Sequence, residues 1–399
     1  MFTNPYTPGA GFMPAYLAGR EKLVESAEGY LHSLMNRYPQ QSVIYYGLRG
    51  VGKTVLLNRI EEAADNLNIM YVHIEANESQ NIRGEKIQRR FTERLVASIN
   101  KFAHEIGVKE QAKDFAQKCI SLLKSFRLTY NIEEGSLGLG ISQDVPPSSG
   151  DYASDITDIM VQLGKSALQS GDTICIFVDE VQYLSEEELG GLISAIHRCN
   201  QLRLPLMAFC AGLPKILKTV GEAYSYSERL FKFEHIDALS PESAKDAVCE
   251  PAKDFNVSYA IEAVERIIEI TCGYPYFIQQ LCSVIWSRVE EGGTISLNDV
   301  MDSEAAFFSM LDDGFFAVRY ERCTPLEKSF MAAMVQCGEL PCTVSNVAKI
   351  MGRTPQSISP LRAQLISKGM IYATGHGEID FTVPQFDHFI IRRNPALLV

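Results

Sequence analysis

Residues 47–54 read GLRGVGKT, and this glycine-rich segment constrains the fold more than any other part of the chain. A short run rich in β-branched and aromatic residues precedes it at 42–46, and residues 55–67 behind it have helical spacing. Strand, glycine-rich loop and helix in this order are typical of a phosphate-binding loop. The sequence therefore predicts an α/β fold in which a parallel sheet carries a nucleotide site.

The residue types in the loop indicate which ligand it binds. Gly47, Gly50 and Gly52 permit a tight turn, so that backbone N–H groups and a helix N-terminus converge on an anion. Lys53 is expected to contact the β- and γ-phosphates, and the hydroxyl of Thr54 is expected to ligate Mg²⁺. A glycine-rich turn with an incidental lysine is the alternative, which the flanking strand and helix disfavour. The predicted nucleotide contacts of this segment are Gly47, Leu48, Arg49, Gly50, Val51, Gly52, Lys53, Thr54 and Val55.

A second part of the site is predicted at 173–180, where TICIFVDE is a near-continuous apolar run that ends in two carboxylates. A buried parallel strand delivers such acids to its carboxyl-terminal edge. Asp179 is expected to hold Mg²⁺ through water and Glu180 to polarise the attacking water, which favours an ATPase. The alternative is that the acidic pair caps the helix that starts just beyond, at Ser185.

Composition narrows the class of protein. The chain has 399 residues, a net charge of −12 and ten cysteines without a C-x-x-C pair. This length predicts two or three domains, and the cysteines are expected to be reduced core residues. No apolar stretch reaches the roughly twenty residues of a membrane helix, and the first residues carry no export signal, so we expect a cytoplasmic protein without a membrane partner.

Charge is distributed unevenly along the chain. The acidic balance disfavours a protein that binds nucleic acid over its whole surface. Residues 324–399, however, hold seven Lys and Arg against five Asp and Glu. Any contact with nucleic acid is therefore expected at the C-terminus.

An insertion is predicted before the acidic strand. Residues 82–126 have helical character with a break at Gly107, and the alternating pattern of 126–144 indicates a β-hairpin. Residues 146–150, PPSSG, are expected to form a loop ahead of a helix at 152–170. The hairpin is either a protrusion that binds a partner or an arm packed on the core.

Two further segments bear on hydrolysis. Residues 204–214, LPLMAFCAGLP, are predicted to include a buried strand. Its tip offers Cys210, where many phosphate-loop ATPases place a polar residue that senses the γ-phosphate. Arg229 precedes a short strand and is a candidate for reaching the γ-phosphate in the same or a neighbouring subunit. A solvated or structurally paired arginine is the alternative.

From Ser240 onward the pattern is helical. Ser240-Pro241-Glu242 predicts a capped helix start with proline in the first turn. The expected helices span about 241–254, 258–271, 275–290 and 296–312. Pro275, in the segment Gly273-Tyr274-Pro275, either packs on an adenine ring or simply begins a helix.

Residues 324–399 are expected to form a separate C-terminal domain. Thr324-Pro325-Leu326-Glu327 caps a first helix, a second spans 344–352 and a third spans 354–369. Residues 370–383 then alternate as a two-stranded hairpin. This order looks like a winged helix, whose third helix usually enters a DNA major groove. Because basic residues are few, packing on its own ATPase or binding a protein is the alternative.

Together these motifs resemble the AAA+ ATPases of the initiator-like and STAND-like branch. The resemblance covers about residues 14–300, and its motifs are Gly-Arg-Glu at 19–21, GLRGVGKT, FVDE, Ser-Glu-Arg-Leu-Phe at 227–231 and GYPYFIQQ. It implies an AAA+ nucleotide-binding core at 1–239, with the insertion and hairpin at about 80–150. A helical lid at 240–323 and the winged-helix domain at 324–399 would follow.

The same resemblance implies roles for individual residues. Arg20, Glu21 and Pro275 would hold the adenine of ATP or ADP. The sensor arginine usual in the lid of initiator-type proteins is not evident, and Cys210 departs from the polar sensor. Both departures imply slow hydrolysis and a switch-like cycle.

We therefore expect an ATP-driven switch in which nucleotide binds between core and lid and repositions the winged helix, and Mg²⁺-dependent hydrolysis resets it. A regulator that contacts duplex DNA through Arg353, Arg362 and Lys368 is one alternative. A protein-interaction scaffold that binds nucleotide structurally and hardly turns over is the other. Nucleotide-dependent homo-oligomerisation would make Arg229 a trans-acting finger, whereas a monomer would favour an intramolecular switch.

Overall fold

The computed structural model describes residues 3–76, 90–130, 149–223, 227–290, 292–375 and 377–395. The chain divides into two compact units. The α/β unit comprises Arg20–Gly47 and Lys53–Ile236, and the helical unit comprises Met1–Gly19, Leu48–Gly52 and Asp237–Val399. The division expected from the sequence, into core, lid and C-terminal domain, remains a proposal.

A five-stranded parallel sheet forms the centre of the α/β unit, in the order β2-β3-β4-β1-β5. Its strands are β1 Ser42–Tyr46, β2 Met70–Glu75, β3 Ile174–Asp179, β4 Leu206–Gly212 and β5 Phe231–His235. Every residue of β3 and β4 is buried, which is why these strands have continuous apolar sequences without alternation. The predicted α/β class with a parallel sheet is confirmed.

Parallel pairing brings the carboxyl ends of the central strands to one edge of the sheet. Tyr46 of β1 pairs with Gly212 of β4, and Val178 of β3 pairs with Cys210 of β4. Residues that end or follow these strands therefore lie side by side. In open α/β sheets this edge is where ligands bind.

The helices of the α/β unit confirm one feature of the predicted insertion. They are α1 Glu21–Met35, α2 Lys53–Asn66, α3 Arg90–Gly107, α4 Lys113–Tyr130, α5 Tyr152–Ser170, α6 Glu186–Gln201, α7 Ile216–Ala223 and α8 Ser227–Leu230. The predicted break at Gly107 is confirmed, because α3 ends there and a 3₁₀ turn at Glu110–Ala112 leads into α4.

The β-hairpin predicted at 126–144 is wrong for its first residues, because α4 continues to Tyr130. Phe126 is 1% exposed and shares a buried helix face with Leu123 and Cys119, at helical spacing. Burial of that face outweighs the strand-like alternation of the sequence. Residues 131–148, the rest of the predicted hairpin and most of the predicted loop, lie outside the described residues.

The helical unit is built from α9 Pro241–Lys253, α10 Ile261–Thr271, α11 Pro275–Trp286 and α12 Leu297–Met310. A π-helical turn at Leu311–Phe316 and the short α13 Ala317–Tyr320 follow α12. Two short strands, β6 Ser258–Tyr259 and β7 Thr294–Ile295, pair in parallel. The N-terminal arm packs on this unit, since the indole of Trp286 donates to the carbonyl of Thr3 at 3.0 Å.

The C-terminal block, residues 324–395, contains the predicted helices and hairpin in the predicted order. Its elements are α14 Pro325–Gln336, β8 Cys342–Thr343, α15 Val344–Ile350, α16 Pro355–Ser367, β9 Ile371–Gly375, β10 Glu378–Phe381 and α17 Phe386–Arg393. The strands form an antiparallel sheet in the order β8-β10-β9. The sequence did not predict β8 or α17.

The last helix, α17, packs against the π-helical turn. The rings of Phe389 and Phe316 stack with centroids 5.3 Å apart, and Arg392 forms an ion pair with Asp312, with Nε 2.8 Å from Oδ2. The C-terminal block is thereby joined to the end of α12 through aromatic packing and charge.

The cysteines are all unpaired, and seven of the ten are buried. Cys249 and Cys337 are half-buried and Cys272 is exposed, so the prediction of core residues holds for most of them. Among the helices described here, none has both the length and the apolar character needed to cross a membrane.

Candidate functional site

The glycine-rich loop connects β1 to α2. Gly50 and Gly52 have φ values of +82° and +89°, a left-handed backbone that glycine adopts without steric cost. Where the loop begins, the amide of Gly47 donates to the carbonyl of Gly212 at 3.1 Å. The start of the loop is therefore tied to the end of β4.

Lys53 and Thr54 open α2, and the buried side chains Leu56, Leu57 and Ile60 anchor that helix in the core. Lys53 is 7% exposed. The hydroxyl of Thr54 donates to Oδ2 of Asp179 at 2.6 Å. The first turn of α2 thus contacts the end of β3, and the sheet brings together residues that lie far apart in the sequence.

Asp179 is the last residue of β3 and is 3% exposed. Burial raises the pKa of its carboxyl, and the neighbouring charge of Glu180 acts in the same direction. The Thr54 hydroxyl, the Glu180 amide at 2.8 Å from Oδ1 and the charge of Lys53 oppose this rise. Because the net pKa is still raised, these partners compensate only part of the desolvation.

The side-chain oxygen atoms of Thr54 and Asp179 are suitable ligands for Mg²⁺. Thr54 and Asp179 offer a hydroxyl oxygen and a carboxylate oxygen 2.6 Å apart, and Mg²⁺ prefers such hard oxygen ligands. Mg²⁺ commonly takes only one or two protein ligands and completes its octahedron with phosphate oxygens and water. Two protein oxygens beside a phosphate-binding loop therefore meet its requirements.

Glu180 follows the strand in an unusual backbone conformation. Its φ and ψ are 53° and 38°, a left-handed region that costs a residue other than glycine roughly 1 kcal/mol or more. Its carboxylate accepts a hydrogen bond from Nε2 of Gln182. The Oε1 atom of Gln182 in turn accepts from the amide of Leu213 at 2.9 Å.

The acidic pair does not serve as the cap of α6. Ser185 is the N-cap residue, and its hydroxyl accepts a hydrogen bond from the amide of Glu188 at 3.2 Å. The Glu188 carboxylate accepts from the Ser185 amide, which completes a capping box. Asp179 and Glu180 therefore have no role in capping α6, and the helix-cap alternative for the acidic pair is excluded.

Four other residues predicted to bind nucleotide or phosphate lie elsewhere in the chain. Arg20 is buried at the N-cap position of α1, and Glu21 opens that helix with an exposed side chain. Arg229 is exposed in α8. Pro275 is the first residue of α11 and belongs to the helical unit. Their contacts with nucleotide stay predictions.

Two residues, Gln182 and Tyr276, contact predicted site residues but were not singled out from the sequence. Gln182 lies three residues beyond Asp179, and that short spacing after a buried acidic strand could have drawn attention to it. Tyr276 lies within the GYPYFIQQ segment, and its amide donates to the carbonyl of Gly50 at 3.4 Å. Both Tyr276 and Gly50 belong to the helical unit.

Comparison with protein families gives two matches. Residues 16–209 match the AAA ATPase domain, and residues 313–390 match a domain of unknown function, DUF8462. Comparison with curated proteins gives no match.

Among solved structures, the chain is similar to the Walker-type ATPase paby2304 of Pyrococcus abyssi. The identity is 14%, the TM-score is 0.57, and the similarity covers 94% of this chain and 96% of that chain. The Orc1 protein of Aeropyrum pernix in complex with DNA gives 14% identity, a TM-score of 0.46 and coverage of 97% and 96%. Cdc6p of Pyrobaculum aerophilum gives 14% identity, a TM-score of 0.45 and the same coverage.

The family match spans the glycine-rich loop, β3, Glu180 just beyond it and the first part of β4. These are the elements whose contacts bring Thr54 to Asp179. The similarity to the Walker-type ATPase extends over nearly the whole fold. The recognition of an AAA+ P-loop ATPase from the sequence is thus confirmed, and residues 16–209 of this chain are an AAA ATPase domain.

Proposed function

We propose that the chain binds ATP together with Mg²⁺ and hydrolyses it slowly, as a nucleotide-driven switch of the initiator-like AAA+ branch. The observation that carries this proposal is the 2.6 Å hydrogen bond between Thr54 of the loop and Asp179 of β3, next to the buried Lys53. A loop hydroxyl, a loop lysine and a strand carboxylate are the groups with which phosphate-loop enzymes hold a nucleotide and its metal ion.

Each residue has a distinct task in this proposal. Lys53 binds the β- and γ-phosphates as a point charge. Thr54 and Asp179 hold Mg²⁺, which when bound neutralises negative charge on the phosphates. Glu180 orients the attacking water and accepts its proton. The other proposed contacts are the backbone at 47–55 for the phosphates, Arg20, Glu21 and Pro275 for the adenine and Arg229 for the γ-phosphate.

The proposal of slow turnover is supported by the absence of an amide or hydroxyl side chain in β4, which runs from Leu206 to Gly212. Cys210 lies in that strand, and burial raises the pKa of its thiol to about 12. The thiol is therefore neutral at physiological pH and a weak hydrogen-bond donor. Cys210 is also 1% exposed in the hydrophobic core, two residues before β4 ends, so it does not supply the polar contact to the γ-phosphate that an amide or hydroxyl side chain would.

A continuous series of contacts within the helical unit supports the switch. Tyr276, whose amide contacts Gly50 of the loop, stacks on Phe315 with centroids 5.0 Å apart. Phe315 contacts Phe316 edge to face at 5.4 Å, and Phe316 stacks on Phe389 of α17 at 5.3 Å. We propose that the loop conformation set by nucleotide reaches the C-terminal block through these rings.

Binding and phosphate release by defined variants test the proposed activity. Lys53→Ala should weaken ATP binding at least about tenfold, since it removes the charge on the phosphates. Glu180→Gln should still bind ATP but lower multiple-turnover phosphate release by about a hundredfold or more. Lys101→Ala, which changes an exposed lysine of α3, should leave both quantities unchanged.

Two results would contradict the proposal in different ways. If Lys53→Ala and wild type had the same ATP affinity and the same rate of phosphate release, the loop could not be the phosphate-binding site. ATP binding without phosphate release, in both wild type and Glu180→Gln, would favour the scaffold that uses nucleotide structurally.

Binding of duplex DNA by the C-terminal block is a second candidate function, which the composition of α16 favours. Between Thr354 and Lys368 the chain contains no acidic residue. The polar side chains Gln356, Ser359 and Gln364 on this helix are exposed. We propose that the block is a winged helix and that α16 is its recognition helix.

Lys368 is less available for DNA than the sequence suggests, because its Nζ is 2.6 Å from Oε2 of Glu327. Arg353 and Arg362 are therefore the better candidates for phosphate contacts. If they bind phosphate, Arg353→Ala should weaken DNA binding and reduce the dependence of log affinity on log salt by about one unit. A block that shows no DNA affinity even at low salt binds a protein or packs within the chain instead.

A further inference from the structure

We infer that Gln182 is the positioning residue that aims Glu180 at the attacking water and couples it to the end of β4. The inference rests on the proposed function, because Glu180 has a task only if the chain hydrolyses ATP. The GLRGVGKT and FVDE motifs do not include Gln182, and it is not among the predicted site residues.

Both the nitrogen and the oxygen of the Gln182 side-chain amide form hydrogen bonds, so the side chain bridges two segments of the chain. It is 9% exposed, its Nε2 donates to the carboxylate of Glu180, and its Oε1 accepts from the amide of Leu213 at 2.9 Å. A side-chain amide can donate at one end and accept at the other, which neither a carboxylate nor an apolar side chain can do. The position is therefore specific for an amide of this length.

The backbone of β4 leaves room for this amide. A Cβ atom at Gly212 would lie 2.6 Å from Oε1 of Gln182 and 2.9 Å from Cγ1 of Val181. Real Cβ atoms do not make such close contacts, so glycine at 212 is what allows Gln182 to reach Leu213. Gly212 at the end of β4 and Leu213 just beyond it thus support the bridge from one side.

The bridge closes a circuit of hydrogen bonds around the proposed catalytic groups. Leu213 is bound to Gln182, Gln182 to Glu180, Glu180 to Asp179, and Asp179 to Thr54 of the loop. The other end of the circuit is the bond from the amide of Gly47 to the carbonyl of Gly212. A movement of the loop therefore acts on Glu180 from two sides.

Glu180 needs such support for a physical reason. Its left-handed backbone is unfavourable for a residue with a side chain, so the local chain does not by itself fix the direction of the carboxylate. A general base displaced by about 1 Å can lower the rate about a hundredfold.

Three variants separate positioning from a merely structural role. Gln182→Leu removes both hydrogen bonds at similar size, and kcat should fall about tenfold to a hundredfold while ATP affinity stays within about twofold. Gln182→Glu keeps the acceptor for Leu213 but not the donor for Glu180, so kcat should fall at least as far. Gly212→Ala displaces Gln182 and should reproduce Gln182→Leu, with no further loss in the double variant.

Amide hydrogen exchange at Leu213 gives a second measurement that does not depend on activity. Exchange should be faster in Gln182→Leu and Gly212→Ala and unchanged in Gln182→Glu, which still accepts from that amide. Gln201→Leu, at the exposed end of α6, is the matched control and should alter neither exchange nor kcat.

The outcomes distinguish this inference from the proposed function. Wild-type phosphate release that Glu180→Gln leaves unchanged overturns both. Hydrolysis that depends on Glu180 but runs at the wild-type rate in Gln182→Leu and Gln182→Glu overturns the inference alone. If Gln182→Leu does not fold, Gln182→Glu decides, because it retains the bond to Leu213.

Discussion

Burial and hydrogen bonding shift the pKa of the Asp179 carboxyl in opposite directions. Burial in β3 raises the pKa of its carboxyl, whereas the Thr54 hydroxyl opposes that rise. Removing the hydroxyl would leave a buried carboxylate with one donor fewer. Thr54 therefore matters to the folded chain as well as to the proposed metal ion, and a change at this position should affect stability and Mg²⁺ dependence together.

Thr54→Val tests this double role. It should lower the free energy of unfolding without nucleotide by about 1–2 kcal/mol, because a buried acceptor loses its partner. It should also reduce the gain in ATP affinity that Mg²⁺ gives, by about tenfold or more. Chemical denaturation and nucleotide titrations with and without Mg²⁺ measure the two effects. Thr157→Val on α5 is the control, and an unaltered Mg²⁺ dependence in Thr54→Val would contradict the assignment.

Residues of the site differ in how far the sequence could predict them. Lys53 and Asp179 were predictable because each sits at a fixed place in a local pattern, a glycine-rich loop or the end of an apolar strand. The spacing of Gln182 from Asp179 could have drawn attention to it, but its contact with Leu213 was not predictable, because Leu213 lies 31 residues further along the chain. Phe126 misled the prediction, since strand-like alternation and helical spacing overlap around it and only packing decides between them.

Whole elements of the C-terminal block were predictable where capping residues mark them. Thr324 and Glu327 form the capping box of α14 that their spacing indicates. The role of Lys368, whose Nζ lies 2.6 Å from Oε2 of the buried Glu327, could not be predicted from any local pattern. That ion pair joins the start of α14 to the end of α16, so one carboxylate serves a helix cap and a tertiary contact.

Glu327→Gln should destabilise the C-terminal block in a pH-dependent way. Burial alone would raise the pKa of Glu327, but Lys368 and the amide and hydroxyl of Thr324 hold it below its usual range. A lowered folded-state pKa contributes stability that is present above the unfolded value of about 4.3 and is lost as pH falls through the folded value.

The variant should therefore be about 2 kcal/mol less stable than wild type at pH 7, with a smaller difference near pH 3. Urea denaturation at both values measures this. Glu339→Gln, at an exposed position of the same block, is the control. A difference that does not change with pH would exclude the ionised pair as its origin.

The turn before α11 depends on glycine. Gly273 has a φ of +69°, and a Cβ there would lie 2.7 Å from the carbonyl oxygen of Leu239. Gly273→Ala should therefore lower the melting temperature by several degrees, because strain and a backbone clash cost on the order of 2 kcal/mol. Gly314→Ala, which meets open space, is the control. Equal melting temperatures for the two variants would mean that the turn relaxes without cost.

At the level of the whole chain, Leu48–Gly52 of the phosphate loop group with the helical unit, although the sequence places them between β1 and α2 of the α/β unit. The loop therefore contacts helices that the sequence separates from it by about two hundred residues. The sequence could predict the lid helices and the C-terminal block one by one. It could not predict that Tyr276, Phe315, Phe316 and Phe389 form a continuous aromatic path, because side-chain stacking between elements leaves no periodic pattern.

Tyr276 offers a test of whether this path transmits the nucleotide state. Tyr276→Ala removes the ring that stacks on Phe315 at 5.0 Å, whereas Tyr276→Phe keeps the ring and loses only the hydroxyl. In wild type, a saturating non-hydrolysable ATP analogue should change amide hydrogen exchange in α17. Tyr276→Phe should preserve that change and Tyr276→Ala should abolish most of it, although both still bind the analogue. The same response in both variants would show that α17 senses nucleotide by another route, since both keep the backbone amide that contacts Gly50 and differ only in the ring that stacks on Phe315.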